Sequence, residues 1–126
     1  VDAATGEREE RRAAQDAANN ALLLRRLRDA PGGHGALEAR TAYFVCTLVA
    51  LRHAADPEPL VATGRWTGQL LDATRGAGGF GYDPLLWIPS LGASVAELAP
   101  EVKNRISHRA QAAEAMREML AAVWGL

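Results

Sequence analysis

The stretch Gly76 to Arg109, GAGGFGYDPLLWIPSLGASVAELAPEVKNRISHR, decides how the rest of the chain is read. It opens on a glycine loop that breaks at Asp83-Pro84 and ends on a helix entrance carrying Ser107, His108 and Arg109. Leu85 to Ile88 predicts a short strand stopped by Pro89. Ser94-Val95-Ala96-Glu97 fits a capping box, so a brief helix through Leu98 should follow. Ser107 is placed to cap a longer final helix to about Trp124, with Ala113, Met116, Leu120 and Val123 as its core stripe.

Gly76, Gly78 and Gly81 match G-x-G-x-x-G, but the context excludes a dinucleotide fingerprint. Such a loop must open a helix whose N-terminus holds the pyrophosphate, whereas these glycines run into Tyr82-Asp83-Pro84 and an apolar strand. A Walker loop fails for want of Gly-Lys-Ser/Thr. The glycines do let backbone lie flat against a ligand, with Phe80 and Tyr82 supplying ring faces for a base. A tight turn packed by aromatics is the alternative. Ser107-His108-Arg109 offers the free N–H groups and positive dipole end of a helix, together with a forked donor. That set suits an electron-rich acceptor edge such as a 6-oxopurine, or else is an ordinary cap followed by surface polar residues. Lys103 is the only lysine beside thirteen arginines. A compact ammonium in a cluster of Asn, Arg, Ser and His suggests a phosphate partner.

Working outward, Glu7 to Gln15 mixes both charges with alanine and reads as a solvated segment of helical propensity. Asp16 can cap the next helix, in which Ala17, Asn20, Ala21, Leu24 and Leu27 recur at helical spacing before Pro31-Gly32-Gly33 stops it. Arg25, Arg26 and Arg28 form its wet face. Ala42 to Leu51 is apolar on both parities, as expected of a central strand covered on both faces. After the turn Asp56-Pro57-Glu58-Pro59, Leu60 to Leu71 resumes as a second strand interrupted by Gly64 and Gly68, antiparallel to the first. His53 reads as an ordinary polar end residue, and neither His34 nor His108 stands at metal-ligand spacing from it. Cys46, the single cysteine, reads as a buried apolar thiol.

Apolar residues make up 48% of the 126 and the net charge is −1, which disfavours a nucleic-acid polymer as partner. No apolar run reaches the roughly 18 residues a membrane helix needs, so no membrane association and a cytoplasmic location are expected.

Taken together, GGFGYDP, Ala96-Glu97-Leu98 and Lys103-Asn104-Arg105-Ile106-Ser107-His108-Arg109 resemble the inosine triphosphate pyrophosphatase family, as does Leu51-Arg52-His53 before its turn. The resemblance covers roughly Asn20 to the C-terminus. It implies hydrolysis of ITP, dITP or XTP to the monophosphate and pyrophosphate, with magnesium as cofactor, and a homodimer. It implies nucleotide contacts from Phe80, Gly81, Tyr82, Asp83, Lys103, His108 and Arg109. The family's Ser/Thr-x-Asn-x-x-Lys loop and its metal-binding carboxylates have no counterpart here and are expected before Val1, so no catalytic or metal-binding residue is assigned. Val1-Asp2 matches the trailing edge of the family's carboxylate segment. The resemblance thus implies a single incomplete domain over 1–126, with a charged divergent segment over 1–15 and a family-like part over 16–126. It implies an α/β fold whose mixed sheet, flanked by helices, would lack the N-terminal strands. The alternative to an enzyme is a non-catalytic nucleotide-binding or interaction fragment.

Overall fold

The computed structural model describes residues 3–31 and 35–126. His34, the Gly32-Gly33 part of the expected helix stop and Val1-Asp2 lie outside the described residues. The first helix, α1, runs Ala3–Asp29 and ends just before Pro31. Segment 7–15 joins it without a break because Ala, Glu, Arg and Gln are all good helix formers, and one glycine, Gly6, costs only about 1 kcal/mol. Asp16 is therefore mid-helix and caps nothing, contrary to the sequence expectation. Asn20 is buried and Leu23, Leu24 and Leu27 are half-buried, while Ala17, Ala21 and the three arginines are exposed.

Four strands follow: β1 (Thr41–Ala50), β2 (Leu60–Leu70), β3 (Leu86–Ile88) and β4 (Ala93–Ser94), side by side in that order. β2 pairs antiparallel with β3 through Gln69 opposite Trp87, and β3 with β4 through Trp87 opposite Ser94. Two helices close the chain, α2 (Pro100–Ile106) and α3 (His108–Trp124). No described helix is long and apolar enough to cross a membrane.

The described residues form two compact units, one joining those up to Ala42 with Gly68–Leu98, the other joining Tyr43–Thr67 with Ala99–Leu126. The first is built on Leu85, Leu86, Ile88, Val95 and Ala96, all buried. Backbone approach is close here, for a Cβ on Gly68 would stand 2.4 Å from the Trp87 carbonyl oxygen. The capping box forms as expected, Glu97 accepting the Ser94 N–H at 2.9 Å, although the turn it starts, Val95–Glu97, is 3-10 rather than α. That hydrogen bond, then Arg75 at 3.4 Å, holds the Glu97 carboxyl below its usual range. Arg75 also stacks 5.0 Å from the Trp87 ring centre.

The second unit has its core at Ala62, Trp66, Ala112 and Met116. Along β2, Ala62, Gly64 and Trp66 point inward and Val61, Thr63 and Arg65 outward. The glycine does not interrupt the strand; it lets the strand backbone meet α3. This contact sets the rotation of α3, so Ala112 and Met116 face inward while Ala113 and Val123, expected in the core stripe, are exposed. β1 is an edge strand among the described residues, and Tyr43, Val45 and Val49 on one face are exposed, against the expectation of a central, doubly covered strand. Cys46, on the opposite parity, is half-buried.

The turn after β1 is fastened by Asp56, whose side chain is fully buried. It accepts from the Arg52 backbone N–H at 3.0 Å, the Arg52 guanidinium at 3.1 Å and the Glu58 N–H at 2.9 Å. Arg52 in turn lies 5.9 Å from the Trp124 ring centre. The Arg52 guanidinium first, then these backbone donors, hold the Asp56 carboxyl well below the usual carboxylate range. A carboxyl with a depressed native pKa stabilises fully above its unfolded value of about 4 and loses that contribution as pH falls toward the native value. Acid unfolding should therefore steepen below pH about 4. Asp56→Asn should flatten that limb; an unchanged acid limb in circular dichroism would contradict the assignment.

Candidate nucleotide site

The first unit carries Phe80, Gly81, Tyr82 and Asp83 on one tight turn. The Phe80 N–H donates to Asp83 Oδ2 at 3.1 Å and the Asp83 N–H returns to the Phe80 carbonyl at 3.2 Å. This reciprocal pair buries Asp83 and turns the flanking rings outward, Phe80 being 49% and Tyr82 43% exposed. Large aromatics that exposed offer faces for stacking. Gly81 has φ +59°, a left-handed conformation that side chains rarely adopt, while a Cβ there would meet nothing within 4 Å. Its glycine is required by backbone conformation and not by crowding.

Gly76 and Gly78 serve a different purpose. A Cβ on Gly78 would lie 2.7 Å from the Ala96 carbonyl oxygen, which accepts the Gly78 N–H at 3.2 Å. Gly76, at φ +88°, sits against Ala96 and Glu97 in the same manner. These two glycines seat the loop on the Val95–Glu97 turn. On the other side of the loop, an open cleft of about 450 Å³ separates it from α1, with Asp16, Asn20, Leu24, Phe80 and Gly81 among its walls.

Two α1 side chains reach the loop, and sequence reasoning missed their role. Asp16 Oδ2 accepts the Gly81 N–H at 2.9 Å, and Asn20 Nδ2 donates to the Gly81 carbonyl at 3.2 Å. The i, i+4 spacing that puts both on one helix face was legible. The signal lay in two short polar side chains on a stripe otherwise apolar.

The second unit holds Lys103, His108 and Arg109. Ser107 caps α3 as expected, its Oγ accepting the Ala110 N–H at 3.1 Å. The Ser107 N–H donates to the Lys103 carbonyl at 3.0 Å, which joins the end of α2 to the start of α3 with Lys103 half-buried one turn upstream. Gln111 fastens that corner: its Oε1 accepts the Arg65 N–H at 3.2 Å and its Nε2 donates to the Ile106 carbonyl at 3.0 Å. His108, the first residue of α3, is half-buried with its ring 5.1 Å from Phe44 and 6.4 Å from Trp66, centre to centre. Arg109 follows it and is exposed. A rigid corner thus presents a ring, a guanidinium and the positive end of a 17-residue helix together. Among the described residues, no group of three or more His, Cys, Asp or Glu side chains could hold a metal ion.

The Ham1 family model matches residues 4–119, taking in most of the charged N-terminal segment as well as both clusters. The chain is 58% identical over 118 residues to a dITP/XTP pyrophosphatase of Methylibium petroleiphilum, covering 94% of this chain and 53% of that protein. A dITP/XTP pyrophosphatase of Leptothrix cholodnii is 59% identical over 119 residues, with the same shares covered. Among solved structures, a HAM1 protein from Coxiella burnetii superimposes with a TM-score of 0.77 at 36% identity, covering 86% of this chain and 52% of that one. The chain spans about half the length of the curated relatives it matches. With a glycine loop and a Ser-His-Arg helix start in a match over nearly its whole length, the chain belongs to the Ham1 family.

Proposed function

We propose that this chain is the nucleotide-recognising part of a nucleoside triphosphate pyrophosphatase that hydrolyses ITP, dITP or XTP to the monophosphate and pyrophosphate. The observation that carries this reading is the 58% identity, over nearly the whole chain, to a relative named for dITP and XTP. In this reading the outward rings of Phe80 and Tyr82 stack on the base, while Gly81 and Asp83 hold the turn that presents them. His108 and Arg109 meet the 6-oxo edge, and Lys103 meets a phosphate group. Hydrolysis breaks the bond between the α phosphorus and the bridging oxygen, with water supplying the new oxygen on the monophosphate.

Magnesium is the proposed cofactor of the whole enzyme. The described residues offer no cluster that fits it, so no step here is assigned to the metal. We place the catalytic carboxylates in the part of the relatives' length that this chain does not span. The chain would then be one incomplete domain of a cytoplasmic homodimer without nucleic-acid or membrane partners. The exposed face of edge strand β1 is a candidate surface for the second copy, and sedimentation at micromolar concentration tests for it.

The half-length match favours a second reading, a fragment that binds nucleotide without turnover. Adding ITP and magnesium to the pure chain tests what the two readings share. Binding without pyrophosphate release is the expected result, because phosphoryl chemistry takes most of its charge neutralisation from metal and triphosphate contacts. Turnover would show that the chain suffices alone, and no ITP binding at all would remove both readings. Lys103→Ala should weaken ITP about tenfold and inosine hardly at all, as befits a charge-assisted hydrogen bond to phosphate. Lys103→Arg should not restore it fully, since a wide planar fork does not replace a compact ammonium. Equal losses for ITP and inosine would give the lysine a structural role.

A further inference from the structure

We infer that Asp16 and Asn20 of α1 are positioning residues for base recognition, a clamp that fixes the Gly81 peptide groups and through them the two rings on either side. The inference rests on the proposed nucleotide reading. Three observations support it. The two side chains stand at i, i+4 on one helix, so a single rigid element delivers both, one accepting the Gly81 N–H and the other donating to its carbonyl. Asn20 is only 7% exposed, unusually buried for a polar residue on an otherwise apolar helix stripe, and this hydrogen bond is what its amide makes there. Gly81 itself, at φ +59° with open space around its α-carbon, belongs to the most permissive residue type. Left to itself such a hinge would let Phe80 and Tyr82 swing independently.

Pinned on both its N–H and C=O sides, Gly81 has its peptide planes set by α1, and the Phe80–Asp83 hydrogen-bond pair carries that orientation through the turn. Both rings then leave the turn from fixed backbone and are pre-organised for a planar ligand. Fixing a binding loop in its bound geometry raises affinity by removing the ordering cost at binding.

The chemistry gives an asymmetric test. In Asp16→Asn the new Oδ1 still accepts the Gly81 N–H, so function should be largely kept. In Asn20→Asp a carboxylate oxygen would face the Gly81 carbonyl, acceptor against acceptor, so function should be lost as in Asn20→Ala. The experiment measures, on the full chain, the dissociation constants of ITP and of inorganic tripolyphosphate, and the amide exchange rate of Gly81 without ligand. The expected result for Asp16→Ala and Asn20→Asp is about tenfold weaker ITP, unchanged tripolyphosphate and at least tenfold faster Gly81 exchange, with Asp16→Asn within about threefold of the parent in ITP affinity. Equal weakening of ITP and tripolyphosphate would reduce the pair to fold support and overturn the inference. So would faster Gly81 exchange with ITP affinity intact. Should the parent chain bind no ITP, the nucleotide reading fails, and Gly81 exchange alone then decides: unchanged exchange in Asp16→Ala overturns the clamp itself.

Discussion

Gly64→Ala is expected to destabilise the chain by about 3 kcal/mol or more, at the upper end of the overpacking range. An ideal Cβ at Gly64 would stand 2.1 Å from the His108 carbonyl oxygen, 2.8 Å from the Ala112 nitrogen and 2.8 Å from the Gln111 Cβ. The first two are helix backbone, which cannot rotate away as a side-chain tip could. Relief requires α3 to lift from β2 or β2 to bend. Either movement pulls on the Gln111 Oε1 bond to the Arg65 N–H and the Gln111 Nε2 bond to the Ile106 carbonyl, which fasten the Ser107 corner. His108 and Arg109 leave the helix at that corner, so nucleotide affinity should fall together with stability. For a chain of this size the loss corresponds to roughly 10 °C in Tm. Gly6→Ala is the matched control, since nothing lies within 4 Å of its would-be Cβ and it sits inside α1. That change should raise stability by about 0.5–1 kcal/mol through helix propensity. Thermal unfolding of the two variants side by side checks the contrast, and a Gly64→Ala protein that melts like its parent would refute the close-packing account.

Such a contact is invisible along the sequence, where a glycine in a strand signals only a bulge or a close approach and never the approaching element. What the sequence shows well is chemistry enforced within a few residues. The Ser107 cap, the Ser94–Glu97 box and the stop before Pro31 all depend on atoms one turn apart. Long-range consequences are less legible. Asp16 has the composition of a cap, but uninterrupted helix formers upstream carry α1 past it, and its carboxylate is used by Gly81, 65 residues away in sequence. The apolar outer parity of β1 suggests a covered face, but in the structure that face is exposed. Which element covers it is not written in the strand, and no described residue buries Tyr43, Val45 or Val49. In α3 the expected stripe holds at Met116 and Leu120, while Ala112 takes the place of Ala113 and Val123 is exposed, because the inward face is fixed across the Gly64 contact and not within the helix.

Under the proposed reading, Arg109→Ala should cost ITP about ten- to a hundredfold in affinity while leaving the weaker binding of ATP nearly unchanged. Arg109 is the second residue of a helix whose start is fixed by Ser107 and Gln111, so its guanidinium departs from a rigid base. It is exposed, which lets its donors reach a ligand edge and also discounts the gain for solvent screening. Hypoxanthine and xanthine carry an acceptor oxygen at position 6, where adenine carries an amino donor. A guanidinium has donors only, so inosine's oxygen can accept from it whereas adenosine would bring donor against donor. A site built around one hydrogen-bonding pattern rejects the mismatched base more strongly than shape alone achieves, because the mismatch leaves a desolvated polar group unsatisfied. Removing the guanidinium then erases the advantage of ITP without creating one for ATP, and the ratio of their affinities contracts. Arg109→Lys should recover only part of that ratio, since one ammonium cannot replace a planar fork. Titration of both nucleotides against parent and variant reads the result directly: if ITP and ATP weakened by the same factor, Arg109 would be holding phosphate or the fold, and base recognition would have to be reassigned to His108 and the Phe80–Asp83 turn.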